Sequence, residues 1–180
     1  MEHRERNERE VALPASALVE LRRALRREAG PLATTHALHA AGFDAGSALH
    51  TMFAAGTSRP LATLSEEAFW DGLRDFLGRR GWGTLKHERV HPALGMMTSS
   101  DWAEAGHEVS ERQPSCAFTS GMLASILGEV AGGPIAVLEV QCRSRGDDAC
   151  RFAMGSETAV HELYGKLLDG AALEVSLREL

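Results

Sequence analysis

Two short stretches hold every cysteine of this chain, and they decide how its fold is interpreted. They read CAFTSG at residues 116–121 and LEVQCRSRGDDACRF at residues 138–152. The second stretch predicts a β-hairpin, because two strand-like segments flank a turn centred on Gly146. In such a hairpin Cys142 and Cys150 lie opposite each other, with Cβ atoms about 4.5–5.5 Å apart.

Three thiols beside a carboxylate make this region a candidate zinc site. Cys116 falls at the start of a predicted helix, where the helix dipole favours the thiolate that zinc requires. Glu139 is the nearest acidic candidate for a fourth ligand. Residues three apart on a regular strand point to opposite faces, so Glu139 and Cys142 can share a metal only if a bulge or an early strand end separates them. Spacing alone leaves open the alternative that the cysteines, Cys150 included, pack as small apolar side chains.

The charge and coordination of such a site have two consequences. Three thiolates and a carboxylate around Zn²⁺ leave two excess negative charges, which Arg143, Arg145 and Arg151 are predicted to offset from outside the ligand set. Four protein ligands leave no open position for water, so the zinc would be structural and not catalytic.

The remaining sequence predicts helices around an antiparallel sheet. Apolar residues recur every three or four positions in five segments, which begin near Pro14, Leu32, Ser65, Ser115 and Ser156. Residues 84–90, 95–101, 135–142 and 150–154 have the pattern of strands. The order of these elements predicts one α+β domain over residues 13–180, with an antiparallel sheet flanked by helices. Residues 1–12 are mostly charged and predict a disordered leader.

The first two helical segments have distinctive residue patterns. In the first segment Leu18, Leu21 and Leu25 fall on one face and arginines fill the other. In the second segment Gly42 and Gly46 indicate either close packing against another element or a break between two helices.

Composition excludes several classes of function. The chain has 180 residues and a net charge of -6, which argues against a nucleic-acid-binding surface. No apolar run is long enough for a membrane span, and the N-terminus lacks the apolar core of a signal peptide, so we expect a cytoplasmic protein. An odd number of cysteines, three, fits free thiols or metal ligands better than a disulfide framework.

The segment His87-Glu88-Arg89-Val90-His91 matches HExxH, the zinc metalloprotease motif. The motif requires a helix that brings both histidines to one face. Pro92 directly follows His91, and the residue before a proline disfavours the helical conformation. The segment is therefore predicted to be part of a strand and not a protease site.

The two cysteine stretches, together with AGFDAG at residues 41–46 and WAEA at 102–105, resemble the 4-vinyl reductase domain family. They are similar to the ligand-sensing domains of phenol- and xylene-responsive bacterial transcription activators, over most of residues 14–170. The resemblance implies a commonly dimeric fold related to the nitric-oxide-sensing haem domain and to a vesicle-tethering subunit. It also implies a structural zinc bound by the matching residues Cys116, Glu139, Cys142 and Cys150.

The leading functional hypothesis is a free-standing, homodimeric sensor-type domain that binds a small apolar or aromatic molecule. Six side chains are predicted to line its pocket: Phe53, Met96, Met97, Trp102, Phe118 and Met122. In phenol sensors a Trp near the position of Ser99 holds the ligand, so a phenol-specific pocket is not predicted. One alternative is an enzyme or accessory protein acting on a tetrapyrrole vinyl group, and another is a purely structural dimerisation module. The chain has no GxGxxG loop for a reductant, so catalysis by this chain alone is not expected.

Overall fold

The computed structural model describes residues 9–106 and 111–180, which form helices around a four-stranded sheet. The helices are α1 (Ala15–Ala29), α2 (Pro31–Ala55), α3 (Glu66–Arg79), α4 (Ala117–Ala131), α5 (Glu157–Leu168) and α6 (Leu173–Arg178). The strands are β1 (Lys86–His91), β2 (Leu94–Ser99), β3 (Ala136–Gln141) and β4 (Cys150–Gly155). Short 3₁₀ turns lie at Leu61–Thr63, Ala103–Ala105 and Arg143–Arg145.

The predicted α+β class with an antiparallel sheet is confirmed. The strand order is β1-β2-β4-β3, and every pair is antiparallel. Ser65 and Ser156 cap α3 and α5, because their hydroxyls accept the backbone N–H groups three residues further on. The first eight residues of the predicted leader lie outside the described residues. No helix in the described ranges is both long and apolar enough to cross a membrane.

Successive residues of each strand point to opposite faces of the sheet and so build two separate cores. On one face Met97 and Phe152 pack against α2, α3 and α4. On the other face Met96 and Ala153 pack with Leu163 of α5 and with α6. The first core is the larger one and contains the three cysteines.

Helix α2 runs without a break through both of its glycines, which settles the alternative in favour of close packing. A Cβ on Gly42 would overlap the carbonyl oxygen of Phe118 in α4, and a Cβ on Gly121 of α4 would overlap the carbonyl oxygen of His39. Only glycine lets the two backbones approach this closely. This contact positions the first turns of α4 within the fold.

Helix α1 is docked in an unusual way. Arg22 is its one buried residue, with 3% of its surface exposed, whereas Leu21 is 48% exposed. The helix lies against α2 and against the turn Ala103–Ala105. Arg22 therefore contributes the one fully buried contact, between the half-buried Leu18 and Leu25 on the same face, while the other arginines of the helix are more exposed.

Candidate functional site

The structure brings the four predicted metal ligands together in one buried cluster. The ligand atoms of Cys116, Glu139, Cys142 and Cys150 all lie within 4.8 Å of one another. The Sγ atoms of Cys116 and Cys142 are 3.8 Å apart. Side chains from the start of α4 and from the β3–β4 hairpin thus converge on a single point.

A backbone irregularity makes this convergence possible. The pairing of β3 with β4 shifts register between Glu139 and Gln141, and β3 ends before Cys142. A bulge reverses the side to which the following side chain points, so Glu139 and Cys142 can face the same site. Gly146, at a φ of 105°, closes the turn that follows, and Asp147 Oδ2 accepts the N–H of Cys142 at 2.8 Å.

The chemistry of the cluster fits a soft divalent cation. Glu139 Oε2 accepts the N–H of Cys116 at 2.7 Å, whereas Glu139 Oε1 is buried and has no hydrogen-bond partner among the described residues. Burial raises the pKa of Glu139, and hydrogen bonds from Cys116 and Cys150 lower the pKa of the Cys142 thiol. A buried acceptor without a donor is costly. A cation bound to the thiolates and to this oxygen would remove that cost.

Two of the three arginines predicted to offset the charge of the cluster, Arg145 and Arg151, pair with other carboxylates. Arg145 pairs with Asp147 at 2.7 Å, and Arg151 lies 3.2 Å from Glu174 and 3.5 Å from Glu88. A guanidinium at the surface retains its hydration when it pairs with an exposed carboxylate, and it would lose that hydration beside a buried thiol.

Neutral donors take the place of those cations. Ser144 Oγ lies 2.9 Å from Cys142 Sγ, and Ser115 Oγ lies 2.6 Å from Ser144 Oγ. The N-terminus of α4 adds its partial positive charge beside Cys116. Hydroxyls and backbone amides therefore surround the sulfur atoms, and neither serine was identified from the sequence.

A second buried carboxylate, Glu104, fixes the same end of α4. Its side chain accepts the N–H groups of Phe118 and Thr119 at 3.1 and 2.8 Å, and Thr119 Oγ1 also receives the indole N–H of Trp102 at 2.7 Å. Burial raises the pKa of Glu104 to about 7, although the hydrogen bonds from Thr119 act in the opposite direction. The only sequence signal for this network was the WAEA segment.

The six predicted pocket residues do not all come together. Phe53, Met97, Trp102, Met122 and the half-buried Phe118 belong to the larger core, whereas Met96 lies on the other face of the sheet. None of the six lines the apolar groove that lies between α3, β1 and the end of α4.

An apolar groove opens beside the HExxH segment, between α3, β1 and the end of α4. Its cavity volume is about 370 Å³. Apolar side chains that form its floor are Leu127, Val130, Ile135 and Met154, and the polar rim consists of Glu66, Arg89 and His91. Trp70 and His87 form one wall, stacked with ring centroids 3.9 Å apart at 10°. Sequence reasoning missed this groove because its residues come from five separate elements, α3, β1, β2, α4 and β4.

The HExxH segment forms β1, as its proline context predicts, and not a helix. Burial lowers the pKa of His87, and the nearby Glu66 carboxylate acts in the opposite direction. At neutral pH the imidazole is therefore uncharged, with one N–H donor and one acceptor nitrogen.

Comparison with known proteins supports the resemblance seen in the sequence. Residues 97–156 match the family model of the V4R domain. The predicted relation to the 4-vinyl reductase domain family is thereby confirmed for this segment.

All four clustered ligands, Cys116, Glu139, Cys142 and Cys150, lie within residues 97–156. The V4R segment therefore carries the complete candidate metal centre. It also includes the end of β2 and the whole of α4, β3 and β4, the elements that position the ligands.

Solved structures share this fold at low sequence identity. The phenol-responsive sensory domain of the transcription activator PoxR, solved with phenol, superposes with a TM-score of 0.70 at 18% identity, over 87% of this chain and 83% of that chain. A vinyl-4-reductase family protein from Methanocaldococcus jannaschii superposes with a TM-score of 0.51 at 19% identity, over 82% of this chain and 83% of that chain. A trafficking protein particle complex subunit 3 from Naegleria fowleri, covalently bound to palmitic acid, superposes with a TM-score of 0.56 at 12% identity, over 78% of this chain and 91% of that chain.

Among curated proteins, the uncharacterized protein MJ0745 of Methanocaldococcus jannaschii is 30% identical over 83 residues. The match covers 46% of this chain and 44% of the length of that relative. The predicted relation to a vesicle-tethering subunit agrees with the trafficking-subunit match, whereas the relation to the nitric-oxide-sensing haem domain stays a prediction.

Proposed function

We propose that this chain is a sensor-type domain that binds a small apolar or aromatic molecule and is stabilised by a structural zinc. The observation that carries the proposal is the apolar groove, in a fold shared with the phenol-responsive domain of PoxR. The trafficking subunit of the same fold is bound to palmitic acid. Phenol and palmitic acid both combine an apolar body with one polar group, which is the ligand class that we assign to the groove.

The groove has the size and lining that this ligand class needs. Its volume of about 370 Å³ falls in the range of small-molecule pockets, roughly 300–1,000 Å³. Gly95 lets His87 and Met154 approach β2 closely at the groove, because a Cβ there would lie 2.9 Å from His87 Nε2 and 2.6 Å from Met154 Cε. The neutral His87 and the rim residue His91 would hydrogen-bond the polar group of the ligand, and the floor would bury its apolar body.

The interior residues are better explained as support for the groove than as its lining. Met97, Trp102 and Met122 have essentially no exposed surface. A ligand between them would have to separate α4 from the sheet, at the cost of well-packed contacts. We therefore place the ligand at the groove.

For the metal, we propose zinc held by Cys116, Glu139, Cys142 and Cys150. Three thiolates and a carboxylate form a set that suits tetrahedral zinc. When bound, the ion would cross-link the start of α4 to the β3–β4 hairpin. Elemental analysis of the purified protein should give about one zinc per chain, and folded protein without any metal would contradict the assignment.

We also propose that the chain forms a homodimer through the outer faces of α1 and α2. Asp44 is the single Asp, Glu, Lys or Arg among the 25 residues of α2, yet Leu32 and Phe43 are 69% and 48% exposed. A helix that is apolar on all sides is normally buried. Light scattering should give a dimer mass that Phe43→Glu converts to a monomer mass, whereas a monomeric wild-type protein would contradict this proposal.

The ligand assignment is tested by filling the groove. Ala131 lines the groove at its exposed end, so Ala131→Trp should abolish binding of phenol and palmitate in a calorimetric titration while the melting temperature stays close to that of the wild type. Ala62→Trp, at an exposed alanine outside the groove, is the matched control and should bind as the wild type does. Equal binding by both variants would exclude the groove as the site.

A further inference from the structure

The one fully buried residue of helix α1 is a cation, Arg22. Arg22 Nη1 donates to the carbonyl oxygen of Glu104 at 3.0 Å and to that of Ser115 at 3.4 Å. Arg22 Nε lies 3.5 Å from a carboxylate oxygen of Glu111, which also pairs with Arg26. The segment between Glu111 and Ser115 thus holds the helix in place.

The same segment contacts the metal centre. Glu111 donates its backbone N–H to the carbonyl oxygen of Ser144 at 2.9 Å. The hydroxyls of Ser115 and Ser144 are 2.6 Å apart, and Ser144 Oγ lies 2.9 Å from Cys142 Sγ. Ser115 also directly precedes the ligand Cys116. A continuous set of polar contacts therefore runs from the sulfur atoms to Arg22.

The buried guanidinium of Arg22 is only partly satisfied by hydrogen bonds. Its Nε and Nη2 atoms are buried and have no hydrogen-bond partner within residues 9–106 and 111–180. Removing the partners of a buried charge is strongly destabilising, so a shift of Ser115 or Glu111 would favour the exposure of Arg22 to water. Because Arg22 is the one fully buried residue of α1, its loss would leave the helix with only half-buried contacts such as those of Leu18, Val19 and Leu25.

We propose that Arg22 is a positioning residue that couples occupancy of the metal centre to the docking of helix α1. A bound metal fixes Cys116 and Cys142, and through them Ser115 and Ser144, so that the carbonyl and carboxylate partners of Arg22 stay in place. Loss of the metal frees these groups and releases α1. The inference rests on the proposed metal centre but goes beyond its structural role, since it makes the helix a reporter of metal occupancy.

Hydrogen exchange of the full chain tests the coupling directly. Amides of α1 should exchange roughly tenfold faster after zinc is removed with a chelator than in the zinc-loaded protein. In zinc-loaded Arg22→Met, which keeps an apolar stem, α1 should exchange fast while β2 and β4 stay protected. Arg27→Met, at an exposed arginine of the same helix, is the control and should match the wild type.

Coupling must also act in reverse, which keeps the test valid even if the metal-free chain unfolds. Arg22→Met should bind cobalt, used as a spectroscopic probe, roughly 5–150-fold more weakly than Arg27→Met in chelator competition. Ser144→Ala should shift the sulfur-to-cobalt charge-transfer band, a change that a purely structural role would not produce.

The outcomes separate the two proposals. A chain that binds neither zinc nor cobalt would overturn both the metal centre and the coupling. A chain that binds metal, but whose α1 exchange and cobalt affinity are unchanged in Arg22→Met, would overturn the coupling alone.

Discussion

The candidate metal centre is closed, whereas the groove is open at one side of the same helix–sheet interface. In the candidate centre four buried candidate ligand atoms lie within 4.8 Å of one another, and hydroxyls and backbone N–H groups surround them. In the groove an apolar floor of a few side chains meets a charged rim, around a volume of about 370 Å³.

The closed site is suited to stabilising the fold, whereas the open groove is suited to exchanging a ligand. A site with all its positions filled by protein can cross-link the fold but cannot admit a substrate. A partly open cavity with an apolar floor can admit and release a small molecule. The two regions share α4, whose first turn carries Cys116 and whose last turns carry Leu127 and Val130 of the groove floor. Changes at one region should therefore leave the chemistry of the other intact as long as α4 stays in place.

The largest expected effect is that of Cys142→Ser. Replacing a thiolate ligand should abolish metal binding and remove most of the free energy of unfolding, which is about 5–15 kcal/mol for a typical domain. Elemental analysis and thermal unfolding measure the two losses. A metal-free variant that melts at the wild-type temperature would show that the closed site is not what stabilises the fold.

A smaller loss of stability should follow Gly42→Ala. The added Cβ would overlap the Phe118 carbonyl oxygen and push α2 away from α4, at a cost of about 1–3 kcal/mol in urea unfolding. Gly165→Ala in α5 is the control, because a Cβ there meets no atom within 4 Å and should stabilise its helix slightly. If both variants had the same stability, the close approach of the two helices would not be what limits residue size at position 42.

Trp70→Leu should affect the groove and not the metal. The change removes the ring that stacks on His87, so ligand affinity should fall roughly tenfold, as expected when about 1.4 kcal/mol of contact is lost. Zinc content and melting temperature should change little. A loss of zinc in this variant would show that the two regions are not independent.

The smallest effect is the pH dependence contributed by His87. Because burial lowers its pKa in the folded state, the unfolded chain binds more protons just below the unperturbed value of 6.5. The free energy of unfolding should therefore decline as the pH falls below about 6.5 and level off below the folded-state pKa. His87→Asn should flatten this part of the curve, and identical curves for the two proteins would assign the decline to other groups.

The sequence alone identified the four candidate metal ligands and the class of the fold. Cys116, Glu139, Cys142 and Cys150 lie within two short stretches that carry the family resemblance, and strand and helix periods are local properties. The proline after His91 was likewise enough to place the HExxH segment on a strand.

Only the tertiary structure decided what surrounds those ligands and where a small molecule could bind. Two of the three arginines predicted beside the sulfur atoms, Arg145 and Arg151, pair with carboxylates elsewhere, and Ser115 and Ser144 lie beside Cys142, because desolvation favours neutral donors at a buried site. The groove and the burial of Arg22 depend on contacts between residues far apart in sequence. Periodicity assigns a residue to a face of its own element, but packing between elements decides which faces meet.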